Sequence, residues 1–196
     1  YVQAKTGTKN AAVFDLNAGC TGFLYSLEVA TSMIRSAGYK KALIIGSERL
    51  TWLLNFSLRD TAVLFGDGAG AVVLEPSEKE CGLISAHLGC EGEMASVLEV
   101  PNTGTSGNRF VDNYGVFDVN FDGREIFRRA VKGMAGEVRK VMKDLGLKNE
   151  DIDLIIPHQA NLRIIEAVAK RLRAPGEKVF VNIHKYGNTS SASTLL

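Results

Sequence analysis

The sequence predicts an α/β fold around a parallel sheet covered on both faces, and two observations carry that prediction. First, a unit of apolar run, short turn, amphipathic helix and second apolar run occurs twice, over residues 11–46 and again over 153–183. Second, the runs are continuously apolar rather than alternating, the pattern of strands buried on both faces. The two units share an architecture but little sequence identity.

Taken in order, Ala11-Ala12-Val13-Phe14-Asp15-Leu16 reads as a buried strand and Asn17-Ala18-Gly19-Cys20 as a tight turn. The helix that follows places Phe23, Leu24, Leu27, Ala30, Ile34 and Ala37 near the 3.6-residue period, and Gly38 suits its C-terminal end. Lys41–Gly46 is a second strand and Leu50–Asp60 a loop. Thr61–Glu75 reads as strand, glycine turn, strand, and Gly82–Leu88 as a further strand. Glu91–Tyr114 is rich in Gly, Asn, Thr and Ser and reads as a surface excursion, a candidate binding loop or lid. The longest helix runs from about Asp122 to Leu145, with the stripe Phe127, Ala130, Val131, Met134, Val138, Met142 and Leu145, and ends at Gly146. Asp153–Ile156 is a strand, Asn161–Leu172 a helix and Lys178–Ile183 a strand. A third helix is predicted to start near Asn188.

Composition narrows the function classes. Of 196 residues, 45% are apolar and 23% charged, the balance of a chain with a sizeable core rather than a disordered one. The formal net charge of +1, with Lys and Arg scattered, argues against a general nucleic-acid binder. No apolar run approaches the length needed to span a bilayer, and the first ten residues carry no signal pattern. Three cysteines, Cys20, Cys81 and Cys90, do not make a disulfide framework, so a reducing cytoplasm is the expected location. The chain lacks an initiator Met and stops just after a fresh helix start, so it reads as truncated at both ends.

Three residues at strand-to-helix turns are candidates for chemistry, because open parallel sheets bind ligands beyond the carboxyl ends of their strands. Cys20 sits where free N–H groups and a helix dipole favour a thiolate, which lowers a cysteine pKa; the alternative is a buried structural cysteine. His158 follows a strand and is fixed by Pro157; the alternative is a structural histidine. Asn188 is either a functional amide or simply a helix N-cap. Together they suggest thioester chemistry, with Cys as a soft nucleophile and neutral His and Asn as donors to a developing oxyanion or enolate. A Cys–His–Asn set also serves papain-like proteases, but their local cysteine signature is absent. Gly66-Asp67-Gly68-Ala69-Gly70 precedes a strand rather than a helix, so a tight turn near the site is preferred over a phosphate loop. Cys81, His87 and Cys90 lack zinc-site spacing, and no metal is expected.

Asn17-Ala18-Gly19-Cys20-Thr21-Gly22-Phe23, Phe65-Gly66-Asp67-Gly68-Ala69-Gly70-Ala71, Pro157-His158-Gln159-Ala160-Asn161-Leu162-Arg163 and Tyr186-Gly187-Asn188-Thr189-Ser190 together resemble the β-ketoacyl-acyl carrier protein synthase III family. The resemblance runs over essentially the whole chain, with the motifs in order. It implies an incomplete thiolase-like αβαβα sandwich, with residues 1–80 the later part of the N-terminal half and 81–196 most of the C-terminal half. It implies a homodimer that condenses an acyl-CoA primer (acetyl-CoA or a short branched acyl-CoA) with malonyl-acyl carrier protein, initiating type II fatty acid synthesis. Cys20 would be the nucleophile, and His158 and Asn188 the decarboxylation partners. Arg59, Gly123, Phe127 and Asn161 match CoA or pantetheine positions. Gln159, Ala160, Asn161, Leu162 and Arg163 match the carrier-protein contact, on a helix made basic by Lys170, Arg171 and Arg173. His184 is given no catalytic role. No cofactor, nucleic-acid or membrane partner is implied. The alternative is a related priming ketosynthase or acyltransferase of a polyketide or alkylquinolone pathway. Relatives are longer at both ends, carrying further CoA contacts and an oxyanion-hole N–H, so the chain alone is expected to be inactive.

Overall fold

The computed structural model describes residues 1–79, 81–101 and 119–196. Its elements are α1 (Val2–Thr6), α2 (Gly22–Ala37), β1 (Ala42–Arg49), α3 (Arg59–Ala62), β2 (Asp67–Leu74), β3 (Leu98–Glu99), β4 (Asn120–Phe121), α4 (Gly123–Asp144), α5 (Leu162–Leu172) and α6 (Ile183–Tyr186). Short 3₁₀ turns connect several of them, including Gly19–Thr21 and Ser190–Thr194.

Three of the four predicted helices form, as α2, α4 and α5. α2 ends at Gly38 in the left-handed conformation, φ 72°, which glycine adopts without a Cβ clash. α4 starts where the Asp122 carboxylate accepts the N–H of Glu125 at 3.0 Å. α4 and α5 pack through Val131, Ala135, Ile164, Val168 and Leu172, with Ala130, Met134, Val138, Ile155 and Ala160 around them. Full burial of each branched side chain in this cluster contributes about 1.5–3 kcal/mol. The predicted stripe of α4 holds in its middle and fails at its ends, where Phe127 is 39% and Leu145 38% exposed.

The sheet departs from expectation. β1 and β2 pair antiparallel, Ala42 opposite Leu74 and Arg49 opposite Asp67, not in a parallel unit. Among the described residues, parallel geometry survives only as two isolated bridges, Phe65 with Asn188 and Ile155 with Val179. The predicted strands over 153–156 and 178–183 reduce to the second of these. Residues 11–16 form no strand, and Val13 and Phe14 are 65% and 59% exposed. A strand needs a neighbour to take its N–H and C=O groups, and no described segment pairs with this one. Gly82–Leu88 is not a strand either; α2 holds this stretch and the residue after it through one carbonyl each. The Arg35 guanidinium donates to Leu83 O at 2.8 Å, and Tyr25 Oη donates to Gly89 O at 2.9 Å. His87 stands between Glu137 and Asp144 of α4, at 3.5 and 3.3 Å. Thr61 belongs to α3, so the strand–turn–strand reading of Thr61–Glu75 yields one strand. Of the predicted excursion Glu91–Tyr114, residues 102–114 lie outside the described residues.

The glycines of Gly66–Gly70 make a face, not a tight turn. The segment 186–196 lies directly on β2, and a Cβ at Gly66 or Gly70 would collide with Tyr186 O or Leu195 Cβ. At Gly68 it would sit 2.8 Å from Leu196 and 3.1 Å from Thr189 Cγ2. Across the ladder, a Cβ added at Gly46 of β1 would lie 3.1 Å from Ala192 Cα. Small residues on two paired strands therefore let the Asn188–Thr194 stretch approach the backbone, and this seats the site.

Candidate active site

The Cys20 turn is held locally. Gly19 has φ 51°, a left-handed conformation that favours glycine, and Thr21 Oγ1 donates to Ala18 O at 2.8 Å. Gly22, the first residue of α2, is buried where a Cβ would lie 3.3 Å from Ser191 Cβ. The helix start is thus pressed against the Ser190–Thr194 turn. The Ser190 side chain hydrogen-bonds the Cys20 thiol.

The Asn188 turn is held by backbone. Asn188 N donates to Leu64 O at 2.9 Å, and Gly66 N donates to Asn188 O at 3.0 Å. Asn188 is 7% exposed, and its Oδ1 accepts the N–H of Ser190 at 2.9 Å. That bond fixes which end of the amide is oxygen, and it turns the NH₂ donor away from the Ser190 backbone. Ser190 itself has φ 48°, an uncommon left-handed conformation for a non-glycine residue. The predicted α-helix at Asn188 is replaced by the 3₁₀ turn, whose N-cap is Thr189 rather than Asn188; the Asn188 side chain instead closes an Asx-type turn just before it.

The His158 turn is held from beneath by Gln159. This side chain has no exposed surface. Its Nε2 donates to Pro157 O at 2.9 Å and Phe180 O at 3.2 Å; its Oε1 accepts Asn182 N at 3.0 Å and Ile183 N at 3.2 Å. All four bonds of the amide are internal. Gln159 is therefore a buried clamp between two chain segments, which corrects the expectation that it meets a carrier protein. His158 Nδ1 lies 2.6 Å from Ser193 Oγ.

One short turn thus gathers the three candidates. Cys20 and Asn188 both bond Ser190, and His158 bonds Ser193. Glu48 of β1 anchors the turn from below, accepting Ser191 N at 3.2 Å and Ser191 Oγ at 2.5 Å. Sequence reading missed Ser190, Ser193 and Glu48. The signal was the run Ser190-Ser191-Ala192-Ser193, hydroxyls where a buried segment would otherwise carry apolar side chains.

Electrostatics corrects one expectation and sharpens another. The Cys20 thiol is pushed up, not down. Burial is the largest cause; the Ser190 hydrogen bond opposes it, the Glu48 carboxylate adds to it, and the backbone N–H of Cys20 opposes it slightly. Desolvation and, behind it, a nearby negative charge outweigh the two hydrogen bonds. Burial lowers His158 to about 4, so its imidazole is neutral at physiological pH and stays a hydrogen-bonding group.

The softer positions fall in different places. Asn161 caps α5, its Oδ1 accepting Arg163 N at 2.9 Å, and Ala160 packs on the α4–α5 cluster. Leu162 is 46% exposed and Arg163 is exposed beside it. Gly123 starts α4 beneath the Phe121 ring, to which a Cβ would approach within 3.1 Å. Phe121 in turn meets Phe65 edge to face, with centroids 6.2 Å apart. Since Phe65 bridges Asn188, the start of α4 reaches the site. Arg59 is exposed at the start of α3, in the segment leading to Phe65. Among the described residues, no helix is long and apolar enough to cross a membrane.

Residues 14–92 match the family described as 3-oxoacyl-[acyl-carrier-protein] synthase III, and residues 142–196 match its C-terminal part. The chain is 50% identical over 192 residues to β-ketoacyl-[acyl-carrier-protein] synthase III 2 of Vibrio cholerae serotype O1, covering 98% of this chain and 53% of that protein. It superposes on the crystal structure of 3-oxoacyl-[acyl-carrier-protein] synthase III from Aquifex aeolicus VF5 with a TM-score of 0.88 and 43% identity, covering 99% of this chain and 59% of that one. The priming β-ketosynthase from the R1128 polyketide biosynthetic pathway gives a TM-score of 0.86 at 32% identity, covering 99% and 58%. The chain therefore spans about half the length of the curated relatives it matches. It has their thiolase-like α/β fold, and it belongs to the 3-oxoacyl-[acyl-carrier-protein] synthase III family.

Proposed function

We infer that this chain carries the condensing centre of a priming ketosynthase, which joins an acyl-CoA primer to malonyl-acyl carrier protein and so initiates type II fatty acid synthesis. The observation that supports this reading is the convergence of Cys20, Asn188 and His158 on the single turn Ser190–Thr194.

In the first half-reaction the Cys20 thiolate attacks the thioester carbonyl of acetyl-CoA or a short branched acyl-CoA. The tetrahedral intermediate collapses, the CoA thiolate leaves, and the acyl group stays on sulfur. In the second, the bond between the malonyl α-carbon and its carboxylate breaks and carbon dioxide departs. The electron pair becomes an enolate on the remaining thioester. His158, neutral because it is buried, and the NH₂ of Asn188 donate to that oxygen as it gains charge. Each such donor contributes on the order of 3 kcal/mol. The α-carbon attacks the acyl carbonyl on Cys20, the Cys20 thiolate leaves, and a 3-oxoacyl-carrier protein results. The electrons come from the broken C–C bond, so the balance requires no cofactor.

Arg59, Gly123, Phe127 and Asn161 are assigned to the CoA and pantetheine path, and Ala160, Leu162 and Arg163 to the carrier-protein face. The two halves of the fold are assigned to residues 1–80 and 81–196. A homodimer in the cytoplasm completes the reading. Similarity to the R1128 priming ketosynthase favours a second reading, a primer-loading ketosynthase of a polyketide pathway with the same three residues.

The test is single-turnover acyl loading. The chain, completed with the flanking segments that its longer relatives carry, is incubated with a mixture of acetyl-, isobutyryl- and longer acyl-CoAs, and the adduct is located by peptide mass spectrometry. A thioester on Cys20, absent in Cys20→Ser, supports the reading, and the acyl group found separates the two pathways. Equal labelling of Cys20, Cys81 and Cys90 counts against an enzymatic site.

A further inference from the structure

The two ring nitrogens of His158 face different chemistry, and the hydrogen-bond count around Ser193 decides which one carries the proton. Ser193 is 2% exposed. Among the described residues its hydroxyl has two partners: His158 Nδ1 at 2.6 Å and the backbone N–H of Gln159 at 3.3 Å. A hydroxyl offers one proton and two lone pairs. The Gln159 N–H is a donor only, so it occupies a lone pair. Gln159 cannot swing away, because its side chain is tied to Pro157, Phe180, Asn182 and Ile183.

If Nδ1 carried the imidazole proton, two N–H groups would point at one oxygen and the buried Ser193 proton would have no acceptor among the described residues. If the Ser193 O–H donates to an unprotonated Nδ1, every group is satisfied. Burial keeps the ring from holding both protons at neutral pH. An unsatisfied buried hydroxyl disfavours its arrangement by roughly tenfold or more.

We propose that Ser193 is a positioning residue that fixes His158 as the Nε2–H tautomer through its bond to Nδ1. The Gln159 amide is its template: that N–H consumes one Ser193 lone pair and so orients the hydroxyl proton toward the ring. The tautomer itself stands on the hydrogen bonds around Ser193 and on the burial of the ring, whatever reaction the site performs. Its role, presenting Nε2–H to the enolate oxygen, rests on the function proposed above. Asn188 shows the same device in another form, since its Oδ1 is engaged by Ser190 N–H and only its NH₂ is left to donate. Both donors would be preset by bonds to the Ser190–Ser193 turn.

The test is ¹⁵N–¹H long-range correlation NMR of the histidine-labelled chain at pH 7, with His158→Gln identifying the ring signals among three histidines. An acceptor-type Nδ1 and a protonated Nε2 are expected. Ser193→Ala should move both nitrogens toward averaged values of exchanging tautomers, and Ser193→Thr, which restores a hydroxyl, should return them. A protonated Nδ1 in the parent chain would overturn the proposal. So would a Ser193→Ala spectrum unchanged at His158 while the fold, judged by circular dichroism, is intact. Acyl loading and decarboxylation of a malonyl thioester are measured alongside, on the chain completed with the flanking segments that its longer relatives carry. Under the proposed function decarboxylation falls about tenfold in Ser193→Ala, in kcat rather than KM, and recovers in Ser193→Thr. If the spectra behave as expected but Cys20 never loads and no variant alters decarboxylation, the functional reading fails and the tautomer stands. If Cys20 loads but the spectra do not respond to Ser193, only this inference fails.

Discussion

The Cys20 turn and the His158 turn touch the same 3₁₀ turn through serines three positions apart, yet their environments act on them differently. Around Cys20 a charge takes part: Glu48 stands close enough to oppose a second negative charge, while Ser190 and a backbone N–H partly offset burial. Around His158 burial is the only cause of the shift, and the ring is answered by neutral groups. Burial disfavours the charged form of both, but the consequences diverge. In the proposed function Cys20 is a nucleophile that must ionise, so burial is an obstacle that the local hydrogen bonds have to offset. His158 is there a donor that must stay neutral, so burial is the device itself. One turn can serve both because its hydroxyls hydrogen-bond an anion or a neutral ring equally well.

The sharpest way to break this contrast is to remove the nucleophile alone. Cys20→Ser should abolish acyl loading, by at least about a thousandfold, because an alkoxide is far harder to form than a thiolate. The His158 ring signals should not change. A Cys20→Ser chain that still forms an acyl adduct elsewhere at the parent rate would dissolve the distinction between the turns.

The converse substitution is next in size. His158→Ala should slow decarboxylation of a malonyl thioester by on the order of 100- to 1000-fold, the cost of one oxyanion donor. Loading of Cys20 from acyl-CoA should stay within a factor of a few. Equal loss in both half-reactions would mean that the two turns act as one unit.

These residues were legible in the sequence for a reason that did not extend to the sheet. Cys20, His158 and Asn188 lie at turns whose local chemistry is written in adjacent residues: Gly19 at φ 51°, Pro157, and Gly187 at φ 68°. Helices were legible because their hydrogen bonds close within four residues, so the α2, α4 and α5 patterns were sufficient. Strand pairing is a long-range property. Nothing in Ala42–Arg49 states that Asp67–Leu74 will run antiparallel to it, and nothing in 11–16 states whether a partner stands beside it. The direction of the Cys20 shift was misread for the same reason. The helix terminus is local, whereas the burial of the thiol, and after it the Glu48 charge, come from the fold. Gln159 looked like a surface residue because it sits in an exposed-looking polar motif, and only the approach of Phe180, Asn182 and Ile183 shows that it is sealed.

A third prediction concerns stability. His158 has a folded value of about 4 against an ordinary 6.5. Between those values the unfolded chain binds more protons, so stability is full above pH 6.5 and falls as pH drops toward 4. The loss amounts to at most about 3 kcal/mol. Urea titrations at stepped pH should show that slope, and His158→Gln should flatten it. An unchanged slope in the variant would place the acid sensitivity on the carboxylates instead, and would weaken the claim that burial alone governs this turn.

The smallest effect tests the charge at the other turn. Glu48→Gln keeps an oxygen able to accept from Ser191 N–H and Oγ–H, so the 3₁₀ turn should stay in place. What it removes is the negative charge that disfavours the Cys20 thiolate. Iodoacetamide at pH 8 should therefore alkylate Cys20 severalfold faster in the variant, while Cys81 and Cys90, both exposed and remote from Glu48 in sequence and partners, keep their rates. The sign is decisive. A Cys20 that reacts more slowly would mean that Glu48 acts only by holding Ser191, and that losing this anchor lets Ser190 drift from the sulfur. A faster Cys20 with unchanged His158 ring signals would establish that the two turns share a scaffold but not an electrostatic field.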